Sequence, residues 1–532
     1  MTFFGLMERP SFFHGYINGF TQPSALIKCQ VVEFHVDNLK HLHRELNNFF
    51  SEYHIMFDAI ESEQQLVESA GKIICALHKL CSMPVFHEIK INLVSAQENV
   101  FHLWVPTFDE NHFHRIMAYA MQFMMQYISP NIVQPKKTLN EELRELISTI
   151  KKQVLVVSNN VNFIAAAHKE NIPWRYFSGN TFQYGWGEHS RLLQSTLTDK
   201  TSKIASELAN NKIDTSQLLK RMGLPVPEQK IASTEDECIQ HAQAIGYPVV
   251  IKPYNQERGK GVSVRLLSEQ EVKTAFHHAK KYSDVVLVEK HIEGRNYRLV
   301  VSHGKLIWAI ERVPVDDSGI INIAGGAKPV AVFDKVHPDN KRLMETAANL
   351  LRLDFAGIDF IIRDISESFY ATNSAILEIN AGPQLGLVTA AHIYHELLLE
   401  ILPNKGRIPV IVVCSQQTDE KFLQELTECL ATQYKNIGMV KNNRAFINNE
   451  MINESKTAYC AGDILLCNKI DILVYCSNSS ENISDQELPF DRYDHLIILD
   501  SMQDKHLIIS QFKKFMENEN PDRSRANRIA AV

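Results

Sequence analysis

Three short stretches carry residues whose types and spacing suit phosphate chemistry. The first is VVIKP (249–253) followed closely by ERGKGV (257–262). A lysine at the end of a buried strand, beside a glycine-containing turn, presents one cation and several backbone N–H groups to phosphate oxygens. In the second, VVLVEKHI (285–292), a buried strand runs into Glu289 and a short segment whose backbone groups can meet an adenine edge. The third pairs GIDF (357–360) with AILEIN (375–380). Residues two apart on a strand share a face, so Glu378 and Asn380 point together. With Asp359 they make three hard oxygen donors of the kind that hold magnesium while water and phosphates complete its shell.

Each stretch alone has an ordinary explanation. A Gly-Lys-Gly turn is commonly a hairpin connection, Glu289 a strand end, Asp359 a cap and Glu378 a solvated side chain. Their order along one chain is what points to a nucleotide site.

These residues need alternating strands and helices to position them, and the chain supplies the pattern. QVLVVS (153–158) is a short continuous apolar run of the kind buried in parallel sheets, followed by helix-like AAAHKE and the strand candidate WRYF. The helical stretch DTSQLLKRMGL is stopped by Pro225 and Pro227, and the strand YPVVIKPY begins soon after. Upstream, the strand candidate VVEFHV, the helical LKHLHRELNNFF and the helical QQLVESAGKIICALHKL read as an α+β domain over residues 1–155. Pro and Gly in LPNKGRIP (402–409) mark another break before the strand VIVV, giving expected units of 156–403 and 407–516 and a frayed polar tail over 517–532.

A chain of 532 residues needs several cores, and 45% hydrophobic with 22% charged residues is ordinary for a globular protein. A formal charge of −7 gives no case for nucleic acid as a partner. Nine scattered cysteines without a CxxC pair fit reduced thiols, and no apolar run reaches the roughly 20 residues that span a bilayer. The expectation is a cytoplasmic protein without membrane partners. His35, His41, His43 and His87 lack zinc-ligand spacing, and HVDNLKHLH reads as the start of an amphipathic helix. Symmetric assembly into a homo-oligomer is the general expectation for such a chain.

Lys212, Lys252 with Pro253, Gly259-Lys260-Gly261, Glu289, Gly357 with Asp359, and Glu378 with Asn380 together resemble the ordered signature of the ATP-grasp superfamily. More narrowly, the chain is similar to the cyanophycin synthetase family in FQYGWGEHSRLLQSTLTDKTSKIA (182–205), NKIDTSQLLKRMGLPVP (211–227), EGRNYRLVV (293–301), VHPDNKRLMETAANLL (336–351) and LDFAGIDFIIRDIS (353–366). The fold this implies is multidomain, α/β and α+β: an ATP-grasp unit flanked by an N-terminal α+β domain and a C-terminal α/β remnant of a Mur-ligase-like domain.

The resemblance implies an ADP-forming ligase that joins an amino-acid or peptide carboxylate to an amine acceptor through an acyl phosphate, using ATP and Mg2+. Carried over by position, Lys212 and Lys252 would bind ATP, the loop Gly259, Lys260 and Gly261 would cover its phosphates, and Glu289 with the backbone of Lys290 to Ile292 would hold adenine. Asn296 stands where the family commonly has an acidic ribose ligand. Asp359, Glu378 and Asn380 would bind the metal, and Arg312 would steady the acyl phosphate through paired N–H donors, acting in catalysis with Lys252.

The chain also departs from the family. Where the Mur-ligase-like domain carries a glycine-rich P-loop, this sequence has Cys414 to Glu420 (CSQQTDE), without the glycines, lysine and hydroxyl in order. It stops before the rest of that ligase, so a single working site is expected. Between Val315 and Ala327 a longer family segment is replaced by DDSGIINIAGG, with Asn322, Gly325 and Gly326 as its remnant. Two alternatives stay open: a catalytically impaired ATP-binding scaffold or regulatory protein, and an ATP-grasp ligase for a free amino acid or small peptide unrelated to cyanophycin.

Overall fold

The structure, a computed structural model, describes residues 4–31, 36–128, 139–155, 158–254, 260–314, 327–386, 389–415, 420–454, 462–478, 487–498 and 528–531. Contacts divide the chain into two compact units, Met1–Arg191 with Leu398–Val532, and Leu192–Leu397.

The first unit opens with an antiparallel sheet in the order Phe4–Leu6, Ser24–Val31, Val100–Pro106, Lys90–Ser95, with Ser11–Phe13 also paired to Ser24–Val31. Its apolar face is covered by helices including Val36–Phe50, Glu63–Leu80 and Glu110–Ile128. Glu63–Leu80 shows why they form. Ser62 caps it by accepting from the Gln65 N–H, worth about 1 kcal/mol, and Leu66, Ala70, Ile73 and Leu77 recur at helical spacing and are fully buried.

Of VVEFHV, Val31 belongs to the strand Ser24–Val31 and Val36 opens the helix Val36–Phe50, and the rest of the stretch lies outside the described residues. One expected strand in this region is corrected. QVLVVS is not a strand start, because Gln153 to Leu155 end the helix Leu139–Leu155. Leu139, Leu143 and Ile150 bury one helical face, and a short apolar run cannot by itself distinguish a strand from a buried helix end.

The same unit holds a seven-stranded sheet in the order Glu450–Glu454, Arg444–Ile447, Ile437–Lys441, Ile472–Asn478, Val410–Ser415, His495–Ile498, Arg528–Ala531. Val410–Ser415 lies parallel to both neighbours. The replaced P-loop falls largely outside the described residues, at 416–419. Arg528–Ala531, expected within a frayed tail, pairs in parallel with His495–Ile498 at the end of the sheet.

Two antiparallel sheets of the second unit carry the candidate site residues. A four-stranded sheet runs Gln229–Ala232, Val286–Lys290, Val249–Pro253, Ser263–Leu266. Val249, Ile251, Val286 and Val288 pack against helices Glu235–Ile245 and Glu269–Lys280. The five-stranded sheet runs Lys328–Ala331, Lys305–Val313, Arg295–Ser302, Phe355–Ile362, Ala375–Asn380. Its Tyr297, Leu299, Ile358, Phe360 and Ile379 share a core with Leu343, Met344 and Ala347 of helix Pro338–Leu350. Burying each large apolar side chain contributes about 1.5–3 kcal/mol, so these faces turn inward and the alternate residues are left for chemistry.

Candidate active site

Strand alternation places Asn296, Arg298, Asp359, Glu378 and Asn380 on the sheet face opposite the Phe360 core. Register sets the details. Asp359 lies directly across from Arg298 on one side and Glu378 on the other, and Gly357 lies across from Asn380. A register shift between Asp359 and Phe360 keeps Glu378 beside Asp359 while Ile376 returns to the core. Arg298 donates to both Asp359 oxygens, Nε to Oδ1 at 2.5 Å and Nη2 to Oδ2 at 3.2 Å. Arg312, whose strand partner is Asn296, brings Nη2 within 3.1 Å of Asp359 Oδ1.

Burial alone would raise the Asp359 carboxyl pKa, but the two guanidiniums outweigh it and hold the group below the usual carboxylate range. Burial pulls Arg312 down from the ordinary arginine value, opposed chiefly by Asp359 and more weakly by nearby Glu378. The Arg312 Nε is buried and meets no acceptor among the described residues.

On the four-stranded sheet, Lys252 and Glu289 alternate with the core residues and form an ion pair. Both are largely buried, the side chains 15% and 5% exposed, so each neutralises a charge that would otherwise be stranded. The turn after Lys252 closes tightly. Gly261 has φ +71°, and a Cβ there would come 2.7 Å from both Pro253 and Tyr282.

Lys212 joins the two sheets. It opens helix Lys212–Arg221, whose cap Asn211 accepts from the Tyr254 hydroxyl at 3.2 Å, just past Lys252. The Lys212 carbonyl accepts from Gln229, which stands opposite Glu289. Lys212 also lines a small cavity together with Glu378.

Residues 209–398, which hold every one of these groups, match the sequence profile of the RimK-like ATP-grasp domain. This segment is a RimK-like ATP-grasp domain. Among curated proteins the chain is 26% identical to cyanophycin synthetase of Nostoc sp. over 377 residues, covering 58% of this chain and 41% of that protein. A shorter stretch of 104 residues is 32% identical to D-alanine–D-alanine ligase of Pseudomonas putida, covering 20% of this chain and 32% of that enzyme. The chain thus spans about two-fifths to one-half of the length of the cyanophycin synthetases it matches. Among solved structures, a bifunctional glutathione synthetase from Pasteurella multocida aligns at TM-score 0.36 and 13% identity, over 72% of this chain and 82% of that one.

Within the ATP-grasp domain, the fold brings Asp359, Glu378, Asn380, Asn296 and Arg312 to one sheet, and Lys252, Glu289 and Lys290 to the other. Lys260 is exposed beside Gly261, and Gly259 lies outside the described residues, as does 315–326. Lys290 is committed to the fold: its Nζ donates to the carbonyls of Gly246 at 2.8 Å and Tyr247 at 3.0 Å, and its N–H to Glu228. The His291 N–H is likewise taken, by the Pro248 carbonyl, whereas Ile292 is buried just beyond the strand.

Sequence reasoning did not single out Arg298. The signal was present in RNYRLVV, where two polar residues alternate with apolar ones on an otherwise buried strand.

The donor set suits a magnesium ion: two carboxylates and an amide oxygen, all hard, on adjacent strands in register. Among the described residues no group of three or more His, Cys, Asp and Glu side chains is placed to hold a metal, so any such set on this sheet has to draw on an amide oxygen such as that of Asn380. No helix among them is long and apolar enough to cross a membrane.

Proposed function

We propose that this ATP-grasp domain joins a carboxylate to an amine with ATP and Mg2+, through an acyl phosphate, as a cytoplasmic relative of cyanophycin synthetase. The observation that carries this reading is the buried Arg312 Nε without an acceptor, set on the face that holds Asp359 and Glu378. An unmet buried donor costs about 1–3 kcal/mol, a cost that an anionic reactant on this face would relieve.

ATP supplies the phosphoryl group that makes the acid's oxygen a leaving group, and magnesium supplies charge that offsets it. Lys212 and Lys252 hold phosphate oxygens, with Gly261 allowing the turn over them to close. Glu289 keeps Lys252 extended toward the site, and Asp359, Glu378 and Asn380 hold the metal. Arg312 donates to oxygens that gain charge as the acyl carbon is attacked. The acid and amine belong to the class of aspartyl peptides or a preformed β-Asp-Arg dipeptide, by analogy with the cyanophycin synthetases the chain resembles.

The test is oxygen transfer. Aspartyl peptides and β-Asp-Arg dipeptide labelled with 18O in the carboxylate are incubated with ATP, magnesium and protein, and released phosphate is read by 31P NMR. One labelled oxygen per phosphate supports the reading; phosphate released without label contradicts it.

A further inference from the structure

Three cations of the site are already answered by the chain's own carboxylates. Lys252 is paired with Glu289, and Arg298 and Arg312 both with Asp359. On the five-stranded sheet two guanidiniums face two carboxylates, Asp359 and Glu378, so that face is electrically balanced before anything binds. We propose that Asp359 is the resident counter-anion of a phosphate-binding subsite formed by Arg298 and Arg312, and that the subsite opens only when Asp359 engages a divalent cation. This rests on reading the face as the ligase site.

A free anion reaching Arg298 must compete with a carboxylate held by two hydrogen bonds from Arg298 and a close contact from Arg312. Asp359 is 9% exposed, so it cannot be released to water in exchange. A cation changes both terms. Asp359 and Glu378 lie directly opposite each other, and like charges so placed repel, which favours a shared positive partner. Once Asp359 turns its lone pairs to that partner, its hold on the guanidiniums weakens and the face moves from balanced to net positive. The Arg312 Nε, with no acceptor of its own, is the donor ready to receive the incoming oxygen. Arg298 thereby becomes a phosphate ligand whose availability depends on the metal, which orders binding as cation before anion.

The probe is inorganic phosphate with full-length protein, in EDTA or in magnesium, followed by calorimetry and thermal melting. The unaltered chain is expected to gain thermal stability from phosphate in magnesium and none in EDTA. Asp359→Asn is expected to bind phosphate in EDTA about tenfold to a hundredfold more tightly than the unaltered chain, the range expected for a charge-assisted hydrogen bond gained. Adding Arg298→Gln to that variant is expected to abolish the gain. Equal stabilisation of the unaltered chain with and without magnesium would overturn the proposal, and so would a folded Asp359→Asn that binds phosphate no better. If Asp359→Asn does not fold, the comparison on the unaltered chain decides. Metal-gated phosphate binding in a protein that shows no acid- and amine-dependent turnover would leave the gate standing and remove the ligase reading.

Discussion

Arg298 and Asp359 face each other across adjacent strands, and the guanidinium fits only because Gly357 has no side chain. A Cβ at that position would lie 2.8 Å from Arg298 Nη1 and 2.5 Å from Pro383 Cβ. Gly357→Ala is therefore expected to push Arg298 off Asp359, costing about 1–3 kcal/mol of stability through overpacking and at least about tenfold in turnover. Thermal melts and steady-state rates check the two effects together; a rate unchanged in a folded variant would show that Arg298 has no part in the reaction.

Removing Lys252 exposes a second dependence. Lys252→Met leaves Glu289 buried without its partner and should destabilise the protein by about 3–5 kcal/mol. Lys252→Met with Glu289→Gln is expected to recover much of that stability while ATP binding stays lost. Denaturant melts and nucleotide titration separate the outcomes, and recovery of ATP binding in the double variant would deny Lys252 its phosphate role.

The N-terminal region should weaken in acid. His78 is fully buried, donates to the Ile74 carbonyl at 2.8 Å through Nδ1 and accepts from the Thr107 hydroxyl, and burial pushes its pKa down to about 4. The unfolded chain takes up this proton near the ordinary value of about 6.5 and the folded chain does not, so stability falls as pH drops from about 6.5 towards 4. The loss from this group at pH 5 is about 2 kcal/mol. Denaturant melts at pH 7 and 5 should show it, and His78→Gln should flatten the slope; an equally steep slope in that variant would assign the effect elsewhere.

Much of the site was legible in the sequence because strand alternation is rigid: Glu378 and Asn380 share a face, and Asp359 joins them through register. Other features depend on long-range partners. That Lys290 braces the Gly246–Tyr247 turn follows from contacts more than forty residues away in sequence, which no local spacing encodes. Arg298 escaped notice for a similar reason, since its meaning comes from Asp359, 61 residues further on. QVLVVS misled because a continuous apolar run carries no period.

The most direct test of the ligase reading is magnesium-dependent ADP release by purified protein across aspartyl peptides, β-Asp-Arg dipeptide and free amino acids, with Lys252→Ala and Glu378→Ala alongside. The expected result is release that requires both an acid and an amine and disappears in both variants. ATP binding without such release, or release that survives both substitutions, would contradict it.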